Sequence, residues 1–156
     1  MPRRSLAPLA VLLAALPAAC GTAPSYVPRT RDVVITAVPL LTREMQAIYP
    51  FLKQDFAPGG VLDGKEVYAF VPGTVTVMAG DTLRLTLLNP EDDAHTFVMA
   101  GLALALPGQS RTDTAYVARR PGIYPFFCSL PAHAPMMHGE LVVLRAGRGW
   151  ARPPTR

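Results

Sequence analysis

Cys128, His133 and Met137 stand at offsets of zero, five and nine in the run Cys128-Ser129-Leu130-Pro131-Ala132-His133-Ala134-Pro135-Met136-Met137. A thiolate, an imidazole and a thioether in one short loop are soft donors, and such donors select copper. Upstream, Asn89-Pro90-Glu91-Asp92-Asp93-Ala94-His95 offers a second imidazole. Cu(I) favours soft, low-coordinate surroundings and Cu(II) favours nitrogen, so two imidazoles, a thiolate and a weak thioether are acceptable to both states. One electron can then enter or leave with little rearrangement. Cys128 alone would read as a small buried hydrophobe, a common fate of free cysteine. The donors at ligand spacing around it outweigh that reading. Met99 and Met136 read as packing residues, and His138, directly after Met137 on an emerging strand, as an exposed side chain on the opposite face.

The elements that must hold these donors are strands. Short β-rich runs alternate with turn signals, which argues for an all-β sandwich and against a parallel α/β sheet. Val33–Val38 opens the series. Val75-Thr76-Val77 leads through the turn Ala79-Gly80-Asp81 into Leu83-Arg84-Leu85-Thr86-Leu87, and Asn89-Pro90 ends that strand. Further strands are expected at His95–Met99, Asp113–Val117, Ile123–Phe127 and, after Gly139, through Leu144. Pro107-Gly108 and Pro121-Gly122 mark turns. Between Thr42 and Phe56, Met45, Ile48, Tyr49 and Leu52 recur at helical spacing, with Thr42 as a candidate cap and Pro50 as an interruption. A short helical insertion packed over one end of the sandwich is expected there.

These motifs together resemble the cupredoxins, the small blue-copper proteins, with a loop spacing similar to that of azurin. The aromatic strand end Tyr124-Pro125-Phe126-Phe127 precedes Cys128, and Gly139-Glu140-Leu141-Val142-Val143-Leu144 supplies the closing strand. Ala132 stands where the family often has glycine before the second histidine, and Ala94 where azurin has glycine just before the first. The resemblance covers roughly residues 31–145. It implies a Greek-key β-sandwich and one type 1 copper per chain, held by His95, Cys128, His133 and Met137, with Met137 as the long axial donor that raises the potential. It also implies that the thiolate accepts from the amides of Thr96 and Leu130, Pro131 having no N–H to give. Thr96 further stands where a polar residue ties the first ligand strand to the ligand loop, although an ordinary strand threonine fits there too. His133, among Pro131, Ala132, Ala134, Pro135 and Met136, is expected to break the surface in a small apolar patch that suits brief encounters.

The 156 residues, half of them apolar, suffice for one domain and not for two ordinary ones. Arg3 and Arg4, an apolar run from Leu6 to Leu16, and the small residues Ala18 and Ala19 before Cys20 have the layout of an export signal. Leu16-Pro17-Ala18-Ala19-Cys20 resembles a bacterial lipobox, which would make Cys20 the lipidated N-terminus; ordinary cleavage and an uncleaved anchor are the alternatives. The expected organisation is a signal over 1–20, a linker over 21–30, the copper domain over 31–145 and a flexible tail over 146–156. With only two cysteines, lipidation of Cys20 would leave Cys128 without a disulfide partner.

The formal charge of +4 misleads, because residues 31–145 carry nine basic and eleven acidic side chains and the flanks carry six arginines. No basic stripe marks a nucleic-acid surface on the folded part. Three histidines in all leave His138 alone after His95 and His133 are used, too few for an oxygen- or nitrite-reducing copper centre within one chain. A binuclear copper loop would need a second cysteine where Ala132 stands. Gly-x-Ser-x-Gly and His-Glu-x-x-His are absent. The expected protein is a monomeric electron carrier of the bacterial cell envelope, tethered through Cys20 and serving an oxidase, reductase or cytochrome. The alternative is an extracytoplasmic protein that delivers or stores copper.

Overall fold

The structure, a computed structural model, describes residues 25–133 and 136–147. The expected signal and Cys20, and the tail beyond residue 147, lie outside them. Among the described residues nine strands form two sheets: β1 (Thr30–Leu41), β2 (Val67–Val71), β3 (Thr74–Met78), β4 (Thr82–Asn89), β5 (His95–Met99), β6 (Leu102–Leu106), β7 (Ser110–Val117), β8 (Gly122–Phe127) and β9 (His138–Leu144). One sheet has the order β2-β1-β4-β7 and the other β3-β9-β8-β5-β6. The pairs β1–β4 and β3–β9 are parallel and the rest antiparallel, which makes the molecule a Greek-key sandwich.

Alternation builds the core between the sheets. Leu83, Leu85, Leu87 and Asn89 of β4 point inward while the residues between them are more exposed, the period of two that a one-sided strand requires. Phe70, Phe97 and Phe126 meet from three strands, with centroids 5.2–5.8 Å apart, in edge-to-face and stacked pairs. Gly139 fits beside them because a Cβ there would collide with the carbonyl of Gly73 and the Phe126 ring.

Strand direction fixes two ends. Thr82, at the start of β4, pairs with Thr30 and Val117, while Asn89 closes β4 at the other end, beside the loop that leads to His95. The first end is anchored by Asp81, fully buried, which accepts from Tyr26 Oη (2.6 Å), the Arg29 amide (2.8 Å), Arg31 Nε (3.1 Å) and the Met78 amide (3.2 Å). Residues 25–29 of the expected linker are therefore tied to the sandwich. At this same end the Ala79 amide donates to the Leu144 carbonyl, so the chain enters and leaves β1 and β9 on the side remote from His95.

The insertion after β1 sits at the other end and differs from a continuous helix. It is a 3-10 turn (Arg43–Ala47) and a single α-helical turn, α1 (Leu52–Phe56), on either side of Pro50. Thr42 makes no side-chain cap bond. The proline break disrupts the helical register, so Met45 and Leu52 pack inward with Phe56, Leu62 and Val67 in a small second core, while Ile48 and Tyr49 face outward. Among the described residues no helix is long and apolar enough to cross a membrane.

Burial alone would raise the Asp81 carboxyl's pKa, but the bonds from Tyr26, Arg29, Arg31 and Met78 outweigh it and hold the group well below the usual carboxylate range. Its folded pKa lies below its unfolded one, so this stabilisation is present above about pH 4 and is lost as pH falls below that value. Asp81→Asn should lower stability by about 1–3 kcal/mol, read as a lower urea midpoint at pH 7, and should shrink the loss that wild type suffers on acidification.

Candidate metal centre

Four strand ends converge at the end of the sandwich opposite Asp81. β5 and β8 pair through Val98 with Phe127 and Met99 with Phe126, so His95 projects past β8 toward the loop that begins at Cys128. That loop is closed on itself: the Cys128 amide donates to the Met137 carbonyl (2.9 Å), and the amides of Met136 and Met137 both donate to the His133 carbonyl. The bond across its ends places the thiol and the thioether residue side by side. Leu130 accepts from the His133 amide (3.0 Å), turning the second imidazole back over the sulfur.

The donor atoms lie close together in a dry place. Cys128 and Met137 are 0% exposed, His95 2% and His133 8%. His95 Nδ1 and His133 Nδ1 are 3.1 Å apart, and Cys128 Sγ is 3.9 Å from His133 Nδ1. Both separations are shorter than two ordinary metal–donor bonds of about 2.0–2.3 Å placed end to end, so one ion can reach His95, Cys128 and His133 together. The short Nδ1–Nδ1 distance makes Nδ1 the His95 nitrogen turned to the centre, and His95 Nε2 is buried with no partner among the described residues. Met137 packs in the same core as Cys128.

The surroundings of the thiol are more local than expected. The Thr96 amide donates to Sγ at 3.5 Å, and Thr96 Oγ1 lies 3.6 Å from Sγ. The same hydroxyl accepts from the Ser129 amide (2.7 Å) and meets Ser129 Oγ (3.0 Å), tying β5 to the ligand loop. Leu130, expected to give a second amide to the sulfur, is not among its donors; its part in the loop is played by its carbonyl. Pro131 is exposed in the turn before His133. His133 is the most exposed of the four donors, at 8%, and Tyr68 packs against its ring.

Two supporting residues were not foreseen from the sequence. Asn89, buried at the end of β4, donates to the carbonyls of Asp93 (2.7 Å), Leu106 (3.1 Å) and Pro107 (3.0 Å), fixing the loop before His95. Tyr68 of β2 lies against both histidines, with ring centroids 4.6 Å from His95 and 4.7 Å from His133. Its hydroxyl bonds to Asp93 and, at 3.2 Å, to Glu66 Oε2. Burial and those two carboxylates keep the phenol protonated well above its usual range. The Asn-Pro signal had marked Asn89 only as a strand end, and nothing near Tyr68 in the sequence pointed to the histidines.

No protein-family model matches the chain. Over 79 residues, 47% of its length, it is 33% identical to a nitrous-oxide reductase from Stutzerimonas stutzeri, and that stretch is 12% of the reductase. Auracyanin A, a blue copper protein of Chloroflexus aurantiacus, aligns over 74% of this chain and 99% of its own at 16% identity and a TM-score of 0.48. A copper nitrite reductase from Nitrosomonas europaea superposes over 74% of this chain and 42% of its own, with a TM-score of 0.52 and 20% identity. The chain has the cupredoxin fold. It spans less than half the length of either reductase. Within the cupredoxin fold, two histidines and a cysteine with an adjacent buried methionine are the donor arrangement of a type 1 copper site, and the soft, preassembled set found here fits that ion.

Burial, and then the neighbouring His133, push the His95 imidazole down to about 4, against a weaker opposing effect of Asp93. A neutral imidazole is the form that binds metal. Because the folded pKa lies below the unfolded value of about 6.5, acid favours the unfolded chain between the two. Metal-free protein should therefore lose about 3 kcal/mol as pH falls from 6.5 to 4 and little more from this group below that, checked by urea unfolding at stepped pH. His95→Gln should flatten that slope.

Proposed function

We propose that this protein is a one-electron carrier that works through a single type 1 copper. The observation that carries the reading is the buried convergence of His95 Nδ1, His133 Nδ1 and Cys128 Sγ, close enough to share one ion, with Met137 buried in the same core as Cys128. When bound, copper supplies the redox couple. The protein's residues do the rest. The two imidazoles and the thiolate offer donors acceptable to both oxidation states, and the thioether of Met137 adds a weak neutral donor that favours Cu(I). The closed loop from Cys128 to Met137 and the clamped loop before His95 resist the rearrangement that a change of oxidation state would otherwise impose. The Thr96 amide, aimed at Sγ, offsets part of the thiolate charge and favours the reduced state further.

Burial argues for passing electrons rather than ions. A donor set with exposures of 8% or less gives up a metal slowly, whereas a delivery or storage site needs donors that an acceptor can reach. Electrons would leave through the edge of His133, the donor nearest solvent, across the turn formed by Pro131 and Ala132. The partner is a redox protein, an oxidase, reductase or cytochrome, met transiently by a monomer. The export-signal layout and Cys20 support a place in the bacterial cell envelope with a lipid tether.

The decisive experiment is the visible and electron paramagnetic resonance spectrum of the domain without residues 1–20, titrated with Cu(II). One equivalent should produce an intense blue or green thiolate-to-copper band that Cys128→Ser abolishes. A colourless or multi-equivalent complex would return the delivery and storage reading. Met137→Gln, which puts a harder oxygen in place of the thioether, should lower the reduction potential measured by voltammetry while keeping the coloured band.

A further inference from the structure

The Tyr68 ring is the one aromatic surface, among the described residues, that touches both imidazoles. Its centroid stands 4.6 Å from that of His95 and 4.7 Å from that of His133, and the histidine rings themselves are 4.9 Å apart at 54°. Three rings thus form a closed triangle. The ring cannot slide, because Tyr68 is 2% exposed on β2, a strand paired along β1. Nor can it swing, because its hydroxyl is fixed from two sides. One is Asp93 Oδ2, two residues before His95, whose own carbonyl is held by Asn89. The other is Glu66 Oε2 (3.2 Å), and the second oxygen of that carboxylate accepts from the Arg43 amide (3.1 Å), the first residue of the 3-10 turn.

A continuous set of contacts therefore runs from both ends of the insertion, at Arg43 and Glu66, through one phenol to both nitrogen donors. We propose that Tyr68 is a positioning residue that sets the separation and tilt of the His95 and His133 imidazoles, and that the insertion between β1 and β2 serves the metal centre by holding Tyr68 in place. This deepens the copper reading and rests on it. The physical reason is that the His95 imidazole is not held from behind by a hydrogen bond: its Nε2 is buried with no partner among the described residues. Packing must then do what a bond to the outer nitrogen does in most metal sites, where that nitrogen fixes ring orientation. A flat ring edge anchored at its far end does so for two ligands at once, and without placing a charge against them.

The test compares wild type, Tyr68→Phe and Tyr68→Leu in the domain lacking residues 1–20. In metal-free protein, the imidazole proton resonances of His95 and His133 should broaden or shift in Tyr68→Leu while the methyl resonances of the distant core stay in place. Loaded with Cu(II), Tyr68→Leu should change the copper hyperfine splitting and the ratio of the two thiolate bands and release copper to excess chelator at least tenfold faster. Tyr68→Phe keeps the ring and should keep the band ratio, but should release copper severalfold faster, since the hydroxyl anchor is gone. Wild-type spectra and release rate in Tyr68→Leu would overturn the proposal. If the leucine variant does not fold, the phenylalanine variant decides: a wild-type release rate there overturns it, and a faster one with an unchanged unfolding midpoint supports it. Failure of wild type itself to form a coloured one-to-one complex would instead remove the copper reading, an outcome separable from all of these.

Discussion

Two imidazole nitrogens held 3.1 Å apart in a dry pocket, with a thiol sulfur next to them, are an arrangement that separate side chains do not adopt unaided. Each buried nitrogen forgoes water, and burial and the neighbouring His133 make protonation of His95 costly. The rest of the molecule is organised to supply that free energy. The stacked phenylalanines beneath the site, the short bond that joins the ends of the ligand loop, and the three carbonyls gathered by Asn89 are separate contributions to one rigid rim. Large aromatic burial is worth about 1.5–3 kcal/mol per side chain, so the core carries enough to keep a costly polar cluster in place.

The sandwich divides its polar expense between two ends. Asp81 is a full negative charge with four donors, so its burial is compensated locally and its role is structural. The histidine–cysteine end is compensated only in part, with one ring nitrogen left without a partner among the described residues. Unpaired polar atoms concentrated at one rim, and full pairing at the other, are what distinguish a place meant to receive a ligand from a place meant only to be stable. The strands between them, β4 above all, transmit position from the satisfied end to the reactive one.

Much of this could be read from the sequence because the donors lie on one loop and in one recognisable strand end. The strand with a polar–apolar alternation was legible: Leu83 to Leu87 shows it. β6 was not, since Leu102-Ala103-Leu104-Ala105-Leu106 alternates by size and not by polarity, with leucines turned inward and alanines outward. β2 was hidden in the same way: Val67, Tyr68 and Phe70 are all buried, so no face stands out. Losing β2 meant losing Tyr68. The missing amide from Leu130 has another cause, because a turn within the ligand loop decides which groups face the sulfur, and spacing alone does not specify that turn. The broken helix over 42–56 shows Pro50 overriding a pattern that otherwise reads as helical.

One consequence follows from where the chain passes in and out of the sandwich. Residues 25–29 and the end of β9 meet at the Asp81 end, and the eight residues of β4 separate that end from the donors by roughly 25 Å. Whatever is joined to this domain in sequence, whether a tether, a surface or another folded unit, is thus attached by the blunt end of a short rod. The opposite tip, with the histidine edge and the insertion, keeps its full solid angle for whatever approaches. Grafted to an electrode through either described end of the chain, the domain would stand upright with its reactive tip outward, and a slow current through the long axis would coexist with fast exchange at the tip.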